Sequence, residues 1–256
     1  MGTITKALEM LNFFSREKPE IGLGEFVRLT GRDKATVHRH LGELEENGFL
    51  EQLPVSRAYR LGPAILRLAA VRETTHPARR LLRPIVSQLA DDIGELVHVS
   101  LLQGAQLSPV FHADPKCYGT QVHFDVAEML PLHATSSGQA VLAFAAPELC
   151  ERVLGGPLPR YTDETTTDRE SLLAMVERAR ETGIGKAERT FDEEVTSESI
   201  ALFDAAGQPV GALAVIVPAV RASEEKWSQI RPLLIDAARA ATHSLGGVLP
   251  PSHPLK

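Results

Sequence analysis

The first seventy-five residues carry apolar side chains at the three-to-four-residue spacing of short amphipathic helices. The spacing predicts helices over about Thr3–Phe14, Leu23–Thr30 and Asp33–Asn47, and Gly48 ends the third. Two short apolar runs flank Pro54-Val55-Ser56 and predict a hairpin. Three short helices with a trailing hairpin are typical of a winged helix-turn-helix, which we place at residues 1–62.

The rest of the chain predicts a linker and a larger second domain of α+β class. The linker is a helix over residues 63–76, closed by His76-Pro77 because a residue before proline is biased away from helix. Beyond it, helical patterns alternate with strand-length apolar runs, which predicts an antiparallel sheet covered by helices over residues 77–249. The predicted strands are Leu96–Gln103, Gln106–Ala113, Thr120–Val126, Gly185–Phe191, Glu198–Asp204 and Val210–Val217. The predicted helices are Arg79–Asp92, Ser137–Ala145, Pro147–Leu154, Asp168–Thr182 and a C-terminal helix that begins at Ser223.

The third helix has an outer face that suits the major groove of DNA. With Val37 toward the core, Ala35 and Arg39 fall on the opposite side. A guanidinium can bond two acceptors of guanine at once, so Arg39 is the candidate base contact. Lys34 and Arg32 are placed to bind phosphates, and Arg57 near the hairpin tip suits the narrower groove. The full set of candidate DNA contacts is Arg32, Lys34, Ala35, Thr36, His38, Arg39, Arg57 and Tyr59.

Charge at first argues against a nucleic-acid partner. The chain of 256 residues has a net charge of −6 and a pI of about 5.9, the wrong sign for phosphate. The charge is uneven, however, because residues 1–75 hold 11 basic and 10 acidic residues and the remainder holds 16 and 23. The stretch from Arg28 to His40 contains four basic residues and one acidic residue. A local basic patch therefore lies within an acidic chain and is compatible with DNA binding. The alternative to DNA binding is a helix-turn-helix module that binds protein, in which this patch is only a solvated face.

Composition also bears on the compartment. Two cysteines, Cys117 and Cys150, cannot form a disulfide framework, which favours the reducing cytoplasm. The longest nearly unbroken apolar run, residues 209–220, is too short to span a bilayer, so no membrane partner is expected.

Several motifs, in order along the chain, resemble the IclR-type transcriptional regulators. They are Lys6-Ala7-Leu8-Glu9-Met10-Leu11, Lys34-Ala35-Thr36-Val37-His38-Arg39, Tyr59-Arg60-Leu61-Gly62, Gly94-Glu95-Leu96-Val97-His98, Leu130-Pro131-Leu132-His133-Ala134-Thr135, Gly138-Gln139-Ala140-Val141-Leu142-Ala143 and Asp204-Ala205-Ala206-Gly207. The resemblance covers nearly the whole chain. It implies a homodimer or dimer of dimers that binds a palindromic double-stranded DNA operator, and a GAF-like second domain that binds a small-molecule effector. Repression is the commoner behaviour in this family.

The resemblance places the effector between the start of the helix after His-Ala-Thr and the strands near the C-terminus. Ser136 and Ser137 match the helix start, where backbone N–H groups can hold a carboxylate. The alternative is that Thr135 and these serines only cap the helix.

This sequence departs from the family members that sense glyoxylate and pyruvate. Their pocket carries a Cys, an Asp and a Ser-x-Ser pair. The matching positions here hold Ser197, Ala187 with Glu188 beside it, Ala214 and Ile216. Because several hydrogen-bonding groups have become apolar, we predict a partly apolar effector, such as an aromatic or medium-chain organic acid. It would lie against Leu130, Ala214 and Ile216, with its acid end toward Ser137 and Ser197.

Enzymatic motifs are missing from the sequence. It has no Gly-x-Ser-x-Gly elbow, P-loop, dinucleotide glycine motif or His-Glu-x-x-His, so we predict no catalytic residues and no cofactor. Three alternatives stay open. One is a hydrolase that uses Ser137 and His133, and another is a helix-turn-helix interaction module whose sensory domain holds no ligand. The third is a metal site among His98, His112, His123 and His133 with Asp114 and Asp125.

Overall fold

A computed structural model describes residues 2–75 and 77–256, and the chain divides into two compact units on either side of the Pro77–Ala78 bond. His76, the last residue of the predicted linker, lies outside the described residues. The linker helix belongs to the first unit.

The first unit is a winged helix-turn-helix. Its elements are α1 (Thr3–Leu11), α2 (Leu23–Thr30), α3 (Lys34–Glu46), β1 (Leu50–Gln52), β2 (Tyr59–Leu61) and α4 (Pro63–Thr75). Gly31 ends α2 in the left-handed conformation, which glycine adopts without steric cost. Asp33 then caps α3 by accepting a hydrogen bond from the Thr36 backbone N–H at 2.9 Å. These two residues set the tight turn that presents α3.

The core of this unit is aromatic. Phe14 and Tyr59 both pack edge-on against Phe26, with ring centroids 5.8 and 6.3 Å away. The first helix ends at Leu11 rather than at the predicted Phe14, and Phe14 belongs to the aromatic core just beyond the helix end. Ile21 exchanges two backbone hydrogen bonds of 2.9 Å with Tyr59 and so extends the small sheet.

The second unit is built on a six-stranded antiparallel sheet in the order β5-β4-β3-β8-β7-β6. The strands are β3 (Leu96–Gln103), β4 (Gln106–Ala113), β5 (Leu130–Pro131), β6 (Gly185–Glu188), β7 (Val195–Phe203) and β8 (Pro209–Pro218). The helices are α5 (Ala78–Ile93), α6 (Ser136–Phe144), α7 (Pro147–Leu154), α8 (Arg169–Thr182) and α9 (Glu224–Ser244). The predicted α+β class is confirmed.

Helices cover both faces of the sheet. Side chains alternate along β8, so Leu213 and Val215 pack with α5 and α9, whereas Ala212 packs with α6 and α8. The face toward α6 is the one that carries the candidate effector residues, and it includes His98, Ser197 and Ile216.

The predicted strand Thr120–Val126 is wrong. Residues 120–126 have no strand structure, and the short strand of this region is β5. Phe124 instead stacks on His98 with ring centroids 4.6 Å apart and approaches His112 at 5.2 Å. Ring packing, rather than a hydrogen-bonded ladder, therefore holds this segment against the sheet.

Candidate DNA-reading surface and effector cavity

The α3 helix presents the face that the sequence predicts. Lys34, Ala35, His38 and Arg39 are exposed and Thr36 is half-buried, while Val37, His40, Leu41 and Leu44 face the core. An exposed helix with a basic residue at its start and another in its second turn has the geometry and charge to enter a major groove.

Arg32 does a different job from the phosphate contact that the sequence suggests. Its Nη2 lies 2.7 Å from the Glu9 carboxylate and its Nη1 donates to the Lys6 carbonyl oxygen at 3.2 Å. The guanidinium therefore ties α1 to the turn before α3. Arg32 therefore helps to fix the position of α3, and its side chain is mostly buried.

The two candidate DNA contacts of the hairpin, Arg57 and Tyr59, differ in exposure. Arg57 is exposed at the turn and has a φ of 56°, the left-handed region. Tyr59 is only 2% exposed and packs against Phe26, so its predicted role as a DNA contact is wrong. Tyr59 is held against the core by a β-bridge to Ile21, a residue distant in sequence. The hairpin pattern alone contains no sign of this bridge, so it did not indicate that the Tyr59 side chain is buried.

A cavity of about 170 Å³ lies in the second unit where α6 begins. It is bounded by β3, β6, β7 and β8 and by the irregular segments around Phe124 and Phe191. Five of the predicted effector residues line it together: Leu130, Ser136, Ser137, Ser197 and Ile216.

Two predicted effector residues do not line this cavity. Glu188 follows Ala187 on β6, and alternation along the strand turns Ala187 into the cavity and Glu188 out to solvent, where it pairs with Lys186 at 2.9 Å. Ala214 is fully buried between the paired positions His98 and Ser199 and has no surface to offer a ligand.

The start of α6 is shaped for an anion. Thr135 is the cap, because its Oγ1 accepts from the Gly138 N–H at 3.1 Å and donates to the Pro131 carbonyl oxygen at 2.8 Å. In the described part of the chain, the backbone N–H groups and hydroxyls of Ser136 and Ser137 have no hydrogen-bond partner. Unpaired N–H groups at a helix start, at the positive end of its dipole, favour a carboxylate.

Other groups at the cavity were not predicted as effector contacts. They are His98, Val122, His123, Phe124, Asp125, Glu128, Ala134, Thr135, Arg189, Thr190, Phe191, Asp192 and Val195. Many of them lie on irregular segments, where no periodicity assigns a side chain to a face. The alternation along β3 was the available signal for His98, since it places His98 and Ser100 on one face.

Acidic groups crowd one part of the cavity. Asp125, Glu128 and Asp192 contribute three carboxylates against the single guanidinium of Arg189. Burial, together with the charge of Asp125, raises the pKa of Glu128 above its ordinary value. The acid end of an effector is therefore better placed at the start of α6 than beside these carboxylates.

The described residues do not bring together the side chains that the hydrolase alternative or the metal alternative requires. The Nε2 of His133 lies 3.0 Å from the Pro159 carbonyl oxygen, and His133 is not among the residues that line the cavity with Ser137. Residues 2–75 and 77–256 contain no group of three His, Cys, Asp or Glu side chains arranged to hold a metal ion. No helix in those ranges is long and apolar enough to cross a membrane.

Comparison with known proteins places both units in one family. Residues 3–54 match the IclR helix-turn-helix domain, and residues 73–243 match the family described as bacterial transcriptional regulator IclR C-terminal. The glycerol operon regulatory protein of Streptomyces coelicolor is 27% identical, over 95% of this chain and 96% of its own. The regulator Rv1719 of Mycobacterium tuberculosis is 30% identical, over 84% of this chain and 81% of its own.

Solved structures agree with this assignment. A crystal structure of a protein assigned as an IclR transcriptional regulator, from Silicibacter sp. TM1040, superposes with a TM-score of 0.91 at 41% identity and covers 99% of this chain and all of the other. An IclR homologue from Microbacterium hydrocarbonoxydans, crystallised with 4-hydroxybenzoate, has the same fold at 24% identity, with a TM-score of 0.75 over 95% of this chain and 99% of its own. The chain therefore belongs to the IclR family of DNA-binding transcriptional regulators.

Proposed function

We propose that the protein is a repressor whose affinity for a palindromic operator changes when a single-ring aromatic acid occupies the cavity at the start of α6. The unpaired N–H groups of Ser136 and Ser137, which open into a small and partly apolar cavity, carry the proposal. Binding bacterial DNA would place its action in the cytoplasm.

On the DNA side, Lys34, Ala35, Thr36, His38 and Arg39 of α3 meet the major groove, and Arg57 reaches the adjacent groove or its phosphates. Few cations contribute, so affinity for random DNA is low and recognition depends on base contacts and on two copies binding two half-sites.

The first unit has exposed apolar side chains that a second copy of the chain could cover. Apolar side chains stand exposed on α1 and α4: Ile4 is 77% exposed and Leu66 is 76% exposed, with Leu8 and Val71 also in solvent. Exposed apolar side chains of this size suit an interface with another protein, and a homodimer would cover them. A dimer, or a dimer of dimers, is the form that we propose binds the operator.

The size of the cavity limits the effector. A cavity of about 150 Å³ accepts benzene in other proteins, so about 170 Å³ suits one aromatic ring better than a medium-chain acid. Leu130 and Ile216 supply apolar contacts, and the start of α6 supplies donors for the carboxylate. The family neighbour bound to 4-hydroxybenzoate supports this choice of effector class.

Control would work by population shift. An effector that binds one arrangement of the dimer more tightly than another moves the equilibrium toward that arrangement, and operator affinity follows. The coupling is reciprocal, so operator DNA must change effector affinity by the same factor.

Calorimetry with the full chain tests the effector class. We expect benzoate to bind and to raise the melting temperature by mass action, whereas glyoxylate and pyruvate bind at least about tenfold more weakly because the cavity offers them few polar partners. Tight binding of glyoxylate would contradict the proposal. If none of the three acids stabilises the protein, a helix-turn-helix module with a ligand-free sensory domain becomes the better description.

A further inference from the structure

His98 forms part of the cavity wall and is held on two sides. Its Nδ1 lies 3.1 Å from the Ser100 hydroxyl oxygen, and its ring stacks on Phe124 at 4.6 Å with an interplanar angle of 30°. These contacts fix the plane of the imidazole. Since Nδ1 is engaged by Ser100, Nε2 is the ring nitrogen that a ligand in the cavity can reach.

The imidazole is neutral under ordinary conditions. Burial, and then the nearby His112, lowers the pKa of His98 to about 3. Leu130 and Ile216, which line the same cavity, are apolar and can offer a ring nitrogen no hydrogen bond. A ring nitrogen that loses water on ligand binding and gains no partner weakens that binding.

His98 lies on the far side of the cavity from the start of α6. The Ser136 backbone runs against Gly185 of β6, so closely that a Cβ on Gly185 would lie 2.2 Å from the Ser136 carbonyl oxygen. In the sheet order, β8 and β7 separate β3 from β6, which puts the β3 and β6 axes about 14 Å apart. An effector with its carboxylate at α6 therefore directs its opposite end toward His98.

We propose that His98 is a specificity-determining residue that selects ring acids carrying a hydroxyl opposite the carboxylate. This inference rests on the proposed effector site and narrows it to a chemical class. A hydroxyl serves either tautomer of His98, because it donates to an unprotonated Nε2 and accepts from a protonated one. A ring with no polar group at that end leaves Nε2 without a partner, and sites of this kind discriminate strongly against such analogues.

Calorimetry with benzoate and 4-hydroxybenzoate as matched probes tests the inference. For the wild type we expect 4-hydroxybenzoate to bind at least about tenfold more tightly than benzoate. His98→Phe keeps a ring against Phe124 and removes both nitrogens, so the two dissociation constants should become equal within about threefold. His98→Gln keeps a polar side chain, so it should retain part of the preference for 4-hydroxybenzoate that His98→Phe loses. His243→Gln, at an exposed histidine of α9, should bind the two acids as the wild type does.

The outcomes separate the two proposals. If the wild type binds both acids but with no preference, or if His98→Phe keeps the full preference, the role of His98 is wrong and the effector site stands. If neither acid binds, the effector class is wrong and His98 loses its role with it. Nitrogen chemical shifts of His98 in the wild type give a readout without a variant: Nε2 should shift with 4-hydroxybenzoate and not with benzoate, and equal shifts would overturn the inference.

Discussion

Arg39 and Lys34 are both exposed on α3 and carry the same charge, yet their chemistry predicts different effects on DNA binding. The planar guanidinium of Arg39 can bond one base edge with two donors, whereas the ammonium of Lys34 contributes charge near a phosphate. We expect Arg39→Ala to weaken operator binding by about 1 to 3 kcal/mol and to relax sequence preference.

Lys34→Ala should weaken binding to every duplex and reduce the salt dependence by about one counterion. Fluorescence anisotropy at several salt concentrations, on a duplex selected from a random pool and on a random duplex, separates the two effects. Arg178→Ala removes one exposed charge from α8 and is the matched control. If Arg39→Ala binds both duplexes as the wild type does, α3 does not read bases through this residue.

The first position of α6 offers a sharp test of the anion site. Thr135 has the extended backbone that precedes proline, so Ser136→Pro keeps the helix and removes one N–H and one hydroxyl. Ser136→Ala removes only the hydroxyl. We expect Ser136→Pro to weaken benzoate binding about tenfold or more and Ser136→Ala by a much smaller factor, measured by calorimetry. Equal effects of the two variants would show that the N–H plays no part.

At the scale of elements, the start of α6 depends on one glycine. A Cβ on Gly138 would lie 2.1 Å from the Leu132 carbonyl oxygen, and that atom belongs to the backbone and cannot turn away. We expect Gly138→Ala to destabilise the second unit by at least about 2 kcal/mol in urea unfolding and to abolish effector binding. Gly42→Ala in α3, where nothing lies within 4 Å, should instead be neutral or stabilising by up to about 1 kcal/mol.

The C-terminal tail adds a pH-dependent contact. His253 stacks on Phe144 at 4.5 Å, and burial, followed by the charge of Arg239, lowers its pKa to about 4. Because the folded state prefers the neutral ring, its stabilisation is complete above pH 6.5 and is lost as the pH falls toward 4.

We therefore expect the free energy of unfolding of the second unit to fall between pH 7 and pH 5. Each buried histidine contributes up to about 1.4 kcal/mol per pH unit. His253→Phe keeps the ring contact with Phe144. It should reduce the slope of the unfolding free energy against pH by up to the value for one proton, about 1.4 kcal/mol per pH unit. An unchanged slope in urea unfolding would contradict the assigned role of His253.

Elements with strong periodicity and clear stops could be predicted closely from the sequence. The bounds of β3, β4 and α7 match, and α4 begins at the predicted residue 63, because alternation or helical spacing begins or ends there beside Gly or Pro. Phe124 could not be placed, since it contributes a ring to the cavity wall and no ladder hydrogen bond. The predicted roles of Tyr59 and Glu188 were wrong because both depend on contacts between distant parts of the chain. The position of Tyr59 depends on its bridge to Ile21, and that of Glu188 depends on which face of β6 meets α6.

For the whole molecule, the acidic balance has a consequence for binding. Residues 1–75 are close to neutral and most of the negative charge lies in the rest of the chain, so we expect attraction to random DNA to be weak. Under the proposed function, operator binding then depends on the α3 contacts and on two copies acting together. In the proposed dimer, a change in the second unit that favours one arrangement would therefore alter operator affinity strongly.

The coupling between the two units can be measured directly. The dissociation constant of the wild type for its selected operator duplex should be determined with and without saturating 4-hydroxybenzoate, at fixed salt and pH. Coupling of the usual strength predicts a change of at least about fivefold, and saturating operator should change the affinity for the acid by the same factor. An operator affinity that stays the same while calorimetry shows the acid fully bound would contradict effector control of DNA binding.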